Sequence, residues 1–190
     1  MNICDAVQLV SGTPQFRIAE DSRLDAPVYR FYTQVDLEND LCGLSGSDEM
    51  RKQIRTSDAV STTLTGDVVF SLLSGTAAVV QASHVGYLLT QNYVTLIPDT
   101  SIESTYLVYL LNEDRQIRRQ LRQGQQGSAT MKFTLKQISS LVLPKLPSLE
   151  KQASIGELYL NQLRLNALRK RASELETRLV LAAIREMDWS

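Results

Sequence analysis

Few side chains in this sequence have a type and spacing that could do chemistry. His84 is the only histidine, and a serine hydrolase built on it would need a G-x-S-x-G segment, which the chain lacks. Neither Cys4 nor Cys42 has a cysteine or histidine at metal-ligand spacing, which excludes a zinc site and a disulfide framework. Asp99 and Glu103 are superficially similar to a nuclease metal site, but no lysine follows at the expected step. The glycine-containing turns also lack the lysine of a phosphate-binding loop. We therefore predict no catalytic residue, no metal and no cofactor, and expect His84 to be an ordinary loop or strand-end residue.

Charge is distributed unevenly along the chain. The first fifty residues hold nine acids and three bases, whereas the stretch between Asp114 and Glu150 holds seven bases and no acid. The net charge of −1 hides this polarity. Because interspersed acids would repel a phosphate backbone, their absence favours contact with a polyanion. The seven bases are Arg115, Arg118, Arg119, Arg122, Lys132, Lys136 and Lys145.

Three groups of residues are candidates for nucleic-acid contact. The first is a helical stripe at i, i+3, i+4, i+7 spacing, for which the alternative is a solvated helix face. The second is a polar loop that could read base edges or simply be flexible. The third is a basic loop, which in most proteins is plain surface. In order, the groups are Arg115, Arg118, Arg119 and Arg122; Gln125, Gln126, Ser128, Thr130 and Lys132; and Arg51, Lys52 and Arg55.

The elements that must position these residues combine strands and helices. After a turn, strand and loop over roughly residues 1–46, with the strand at 28–35, strand patterns continue over 66–73, 76–81 and 87–97. From about 104 to 123 the period becomes helical, with Ser101 or Ser104 as N-cap, Gly124 as the stop, and an apolar face. That face consists of Leu107, Leu110, Leu111, Ile117 and Leu121. We predict an α+β fold, with a twisted sheet, packed helices and a long C-terminal coiled-coil helix.

A heptad pattern marks the C-terminal helix, which Ser148 is expected to cap. Apolar residues recur at seven-residue intervals in two interleaved series, as in a coiled-coil seam, and a helix of about 55 to 60 Å is too long to bury that seam on so small a domain. The alternative is a single amphipathic helix folded back on its own domain. We expect a domain over 1–147 and a dimerising helix over 148–190. The seam consists of Leu158, Leu165, Leu168, Ala172, Leu175 and Leu179.

The chain carries no pattern of a membrane or secreted protein. No apolar run approaches the roughly 18 to 20 residues that span a bilayer, and the N-terminus lacks a basic start. We expect a soluble, cytoplasmic protein.

Five segments together resemble a known family. They are Leu64–Ser71, Gln91–Pro98, Tyr106–Leu111, Gly127–Ser128 and Leu146–Gln152. In this order they are similar to the motif series of a target recognition domain in type I restriction-modification specificity (S) subunits. The resemblance covers nearly the whole chain, and the combination is more specific than any single segment. Full S subunits resemble two such units in tandem, so this chain is similar to half a subunit.

The resemblance implies a DNA-reading function without catalysis. The domain would bind one half of a split site in double-stranded DNA, and the helix would set the distance to a second recognition domain. Two copies with antiparallel helices would form a homodimer that reads a palindromic, gapped site. A methyltransferase (M) subunit, with a restriction (R) subunit in a restricting system, would perform the chemistry.

Two other classes of function remain open at this stage. One is a coiled-coil interaction protein or anti-restriction adaptor that binds protein and no DNA, which the acid-rich first fifty residues would suit. The other is a self-sufficient nuclease.

Overall fold

The computed structural model describes residues 1–44, 52–123 and 132–188. Six strands and five α-helices lie within these ranges, together with short 3-10 turns. The strands are β1 (Val7–Ser11), β2 (Val28–Arg30), β3 (Gln53–Arg55), β4 (Val68–Ser71), β5 (Ala77–Val79) and β6 (Tyr93–Pro98). The helices are α1 (Gln34–Cys42), α2 (Ser104–Glu113), α3 (Arg115–Gln123), α4 (Leu135–Ser139) and α5 (Leu149–Asp188).

A four-stranded antiparallel sheet forms the centre of the molecule, in the order β1-β6-β4-β5. All four residues of β4 are buried, because both faces of the sheet are covered. The tight turn between β4 and β5 contains Gly75 at φ 68°, a conformation that glycine adopts without steric cost. The predicted pair of buried strands around Ser74 and Gly75 is therefore confirmed.

Helices cover the two faces of this sheet. Alternate residues such as Phe70 and Leu96 contribute to a core shared with α2 and α3. On the other face, Val69 and Tyr93 pack with Leu37 of α1. Together with the long α5, this arrangement confirms the predicted α+β class.

A second, smaller sheet pairs β2 with β3 in antiparallel register. It has its own apolar cluster, in which Ile18, Phe31 and Leu88 are buried. Leu88 also bridges to Thr62. The residues before Tyr93 therefore connect the small sheet to the large one.

All four predicted strand segments are longer than the strands that form; 66–73 and 76–81 lose only a few end residues, whereas the other two change more. The strand expected over 28–35 stops at Arg30, and α1, which the sequence reading missed, begins at Gln34. The cause is a capping box, in which Thr33 and Asp36 each accept a backbone N–H from the other end of the first turn. In the segment 87–97, regular strand begins only at Tyr93. The sequence reading also missed α4.

The single helix expected over 104–123 is two helices. Asp114 between them has ψ 124°, and its Oδ1 accepts the backbone N–H groups of Gln116 and Ile117 at 2.9 and 3.0 Å. The residue at the N-cap of α2 is Glu103, neither Ser101 nor Ser104. The predicted apolar face is nevertheless confirmed, since all five of its residues are buried.

Helix α5 has 40 residues, which corresponds to a rod of about 60 Å. Its first half packs against α2 and α1. Of the helices in the described part of the chain, none is long and apolar enough to cross a membrane.

Candidate nucleic-acid interface

Three arginines of α3 form an exposed basic surface. Arg115, Arg119 and Arg122 are all exposed, whereas Ile117 and Leu121 on the opposite side are buried in the core. At 3.6 residues per turn, the three side chains leave the helix within an arc of about 60°. Their guanidinium groups can therefore address one partner together.

Arg118 differs from its three neighbours. Its side chain is half-buried, and Nη1 donates to the carbonyl oxygen of Gly75 at 2.6 Å and to that of Leu111 at 3.4 Å. The fourth arginine of the predicted stripe thus ties α3 to the β4–β5 turn.

Lys132 lies beside the same hairpin, next to the turn that precedes β6. Its Nζ donates to Oδ1 of Asn92 at 2.7 Å, and the next residue, Phe133, donates its backbone N–H to Leu72 O at 2.8 Å. The structure therefore brings Arg118 and Lys132 to one hairpin. The predicted base-reading residues Gln125, Gln126, Ser128 and Thr130, which fall between them in sequence, lie outside the described residues.

The residues of the second basic group differ from one another in their contacts. The ammonium group of Lys52 lies 5.2 Å from the ring centroid of Phe31, while its side chain stays exposed. Arg55 turns towards its own domain, where Nη1 donates to the carbonyls of Leu24 and Ala26 at 2.7 and 2.9 Å. Arg51 lies outside the described residues.

A second set of contacts stabilises the loop to which Arg55 bonds. Arg23 binds Asp21 with an N–O distance of 2.7 Å and donates to Ser57 Oγ at the same distance. Hydrogen bonds from Arg23 hold the pKa of Asp21 well below its usual range. The guanidinium of Arg55 therefore belongs to a structural network.

One segment connects the two basic groups. Leu88 donates its N–H to Arg30 O at 2.7 Å beside Phe31 and Lys52, while Asn92 accepts from Lys132. Five residues in extended conformation span at most about 14 Å. Lys52 and Lys132 thus flank the two ends of one short segment.

A buried polar cluster was not foreseen from the sequence. His84 is 2% exposed, with Nδ1 2.6 Å from Asp40 Oδ1 and Nε2 3.4 Å from Asp36 Oδ1. Asp40 also accepts the Tyr32 hydroxyl at 2.7 Å, and burial raises the pKa of both Asp40 and Tyr32. All four side chains face one another inside the protein, so the cluster joins α1 to the segment around His84. His84 does lie outside the strands and helices, in a short 3-10 turn after β5, as expected for a loop residue. Its burial against Asp36 and Asp40 was missed because α1, which carries both aspartates, was not predicted.

The seam of α5 is exposed along its whole length. The exposed fraction is 72% at Leu158, 42% at Leu165, 45% at Leu168, 54% at Leu175 and 73% at Leu179. Every residue from 168 to 187, which we call the distal arm, is exposed. The alternative in which the whole helix folds back on its own domain is therefore wrong for the distal arm.

Comparisons with known proteins identify solved structures that have a similar fold. No family model matches the sequence, and neither does any curated protein. The HsdS subunit from Thermoanaerobacter tengcongensis is similar in structure, with a TM-score of 0.58 and 19% identity over 90% of this chain and 39% of that one. The chain has the fold of a type I restriction-modification S subunit.

Two further solved structures support this fold. A chain from a study of complex assembly and conformational transition of the type I R-M system gives a TM-score of 0.60, with 19% identity over 97% of this chain and 42% of that one. The type I S subunit from M. genitalium gives 0.52, with 13% identity over 93% and 42%. The resemblance stated from the sequence is confirmed at the level of the S-subunit fold, and this chain spans about two fifths of each S-subunit chain.

Proposed function

We propose that the chain is a non-catalytic DNA sequence-specificity subunit, which binds one half-site of a bipartite target and directs a type I methyltransferase or restriction complex to it. The observation that carries this proposal is the S-subunit fold, which extends over both the globular domain and the long helix. In this proposal, residues 1–147 recognise DNA, while residues 148–190 set spacing and dimerise.

Phosphate contacts would come from the exposed face of α3. Arg115, Arg119 and Arg122 supply exposed guanidinium groups, which bind phosphate without reading sequence. Arg118 contributes indirectly, because it fixes α3 on the β4–β5 hairpin. Contacts to phosphate therefore set the register of the domain on the duplex.

Base readout would come from the segments next to this surface. We assign it to Gln125, Gln126, Ser128 and Thr130, in the segment that joins α3 to Lys132. Lys52 lies at the other end of the segment 88–92 and, with Arg51 next to it in sequence, would extend the contact. A good bidentate contact between a side chain and a base discriminates by about 1 to 3 kcal/mol.

A second copy of the chain is the partner that suits the seam. Its seven-residue spacing makes the seam symmetric about Lys170, so antiparallel pairing sets Leu165 opposite Leu175 and Leu168 opposite Ala172. Two copies would also match most of the length of one S-subunit chain.

The chemistry would belong to partner subunits. In this proposal, an M subunit packs on the dimer and methylates the site, and an R subunit joins it in a restricting system. The contribution of this chain is differential binding of one DNA sequence over others.

Deletion of the gene followed by methylome sequencing tests the proposal. We expect one gapped, palindromic methylated motif to disappear from the genome and to return when the gene is restored. Light scattering on the purified chain should give about twice the monomer mass of 21.3 kDa. An unchanged methylome, or a complex with the M subunit that has no affinity for DNA, would instead support a protein-binding adaptor.

A further inference from the structure

A buried glutamine connects the first turn of α5 to the recognition domain. Gln152 is 1% exposed, and its Nε2 donates to the carbonyls of Ser101 and Pro147 at 3.0 and 2.9 Å. Its Oε1 accepts the backbone N–H of Glu103 at 3.0 Å. Glu103 is the N-cap of α2 and makes no capping bond with its own side chain. One side chain of α5 thus satisfies the backbone at the start of α2.

One turn further along, α5 approaches α2 more closely than most side chains would allow. A Cβ on Gly156 would lie 2.2 Å from Thr105 Oγ1 and 2.6 Å from its backbone carbon. At the next turn, the rings of Tyr159 and Tyr109 lie 5.7 Å apart, and the Tyr159 hydroxyl donates to Glu113 at 3.2 Å. Gln152, Gly156 and Tyr159 therefore fix α5 on α2 at i, i+4 and i+7. We call these three residues the arm joint.

A small change at the arm joint has a large effect at the far end of the helix. Met187 lies 31 residues beyond Gly156, a distance of about 46 Å at 1.5 Å per residue. A tilt of about 10° would displace that end by about 8 Å. This displacement exceeds two base-pair steps of about 3.4 Å each.

We propose that the arm joint determines which spacer length between two DNA half-sites the dimer accepts, because it fixes the direction of the distal arm relative to the recognition domain. This inference rests on the proposed function. Helix length sets the reach of the assembly, and the arm joint sets its angle. The three residues are positioning residues, since they contact α2 and adjoining backbone.

Two substitutions test the inference by different routes. Gln152→Met keeps the side-chain length and removes all three side-chain hydrogen bonds. Gly156→Ala keeps those bonds and pushes α5 away from Thr105. Ser154→Ala is the matched control, because Ser154 is exposed on the same helix and its hydroxyl donates to Glu150 O of its own turn. Thermal melts and light scattering first establish that each variant is folded and dimeric.

The first measurement is the affinity of the complex with the M subunit for duplexes whose spacer varies by one base pair at a time. We expect the wild type and Ser154→Ala to lose at least about tenfold in affinity two base pairs from the optimum, as for a mismatched site. Both joint variants should flatten this profile to within about threefold or move its optimum. Their affinity for a single half-site should stay unchanged, which a merely destabilising substitution would not achieve. An unaltered spacer profile in both variants overturns the inference.

The second measurement needs no DNA. Spin labels on Cys4 and on the cysteine of a Ser173→Cys variant, in a Cys42→Ser background diluted with unlabelled protein, report the distance between domain and arm. We expect both joint variants to shift or broaden this distance distribution and Ser154→Ala to preserve it. Unchanged distances would refute the role of the joint even if DNA binding is intact. If the wild-type complex binds no bipartite duplex, the proposed function is refuted, and with it the role of the arm joint in spacing.

Discussion

Replacing Arg115, Arg119 and Arg122 with glutamine, singly and together, should weaken binding of the assembled complex to every DNA sequence by a similar factor. These three side chains are exposed and leave α3 within one arc, so each can neutralise one phosphate. Glutamine retains hydrogen-bonding groups but has no charge. The expected loss is therefore electrostatic and independent of sequence.

The size of the effect follows from counterion release. Each phosphate contact contributes about 0.9 to the slope of log affinity against log salt concentration, so three contacts in each of the two copies contribute about 5.4. Between about 50 and 200 mM salt, a fourfold change, the wild type should lose about 1,800-fold more affinity than the triple variant. Each single variant should lose about 12-fold less than the wild type over the same range.

Fluorescence anisotropy with a cognate and a scrambled duplex, at several salt concentrations, measures these slopes. Arg17→Gln is the matched control, because Arg17 is also exposed but lies in the acid-rich first fifty residues. Its slope should equal that of the wild type. If the triple variant keeps the wild-type slope, α3 does not face phosphate, and the placement of the interface is refuted even though the fold stands.

Arg118→Ala should lower the free energy of unfolding by roughly 1 to 3 kcal/mol, because charge-assisted hydrogen bonds to the carbonyls of Gly75 and Leu111 are lost. Arg119→Ala, the control, should change the free energy of unfolding by less than about 0.5 kcal/mol. Urea denaturation measures both values. Leu175→Glu should convert the dimer to monomer in light scattering, since it buries a charge in the seam. Tyr93→Phe should stabilise the protein relative to the wild type as pH rises from 10 to 12. Burial raises the pKa of Tyr93 to about 12 from 10, so its stabilising contribution is complete below pH 10 and is lost as pH rises towards 12, by at most about 1.4 kcal/mol per pH unit.

Each of these three expectations has a contrary result. Equal losses for Arg118 and Arg119 would mean that the bond to the hairpin contributes nothing to stability. A dimer that survives Leu175→Glu but not Thr177→Glu, an exposed position two residues away on the same helix, would place the interface on another face. Parallel alkaline denaturation curves for Tyr93→Phe and the wild type would show that folding does not shift the pKa of this hydroxyl.

Much of the fold could be predicted because local patterns and tertiary environment agree. The β4–β5 hairpin combines two apolar runs with a glycine turn, and the buried face of α2 and α3 repeats at helical spacing. The heptads of α5 predicted both a long helix and an exposed seam. In each case the deciding signal lies within about twenty consecutive residues.

The features that escaped prediction depend on contacts distant in sequence or on one competing signal. The aromatic and β-branched residues near Tyr29 favoured a strand through 28–35, but the capping box at Thr33 starts a helix there. Arg118 and Arg55 belong to basic groups in sequence, yet backbone carbonyls 43 and 31 residues away bind their guanidinium groups. Gln152 sits within a heptad-patterned helix, and only its contacts with Ser101 and Glu103 reveal its position.

The exposed distal arm has a consequence for the life of the protein in a cell. Besides the seam, Val180, Leu181, Ile184 and Met187 leave the rod on other sides, and each is between 49% and 76% accessible to water. A newly synthesised chain that has not assembled therefore exposes an apolar helix to solvent. Surfaces of this kind bind chaperones and aggregate. Unassembled chains should be degraded faster than assembled ones, so the abundance of this protein should follow the abundance of the subunits with which it assembles.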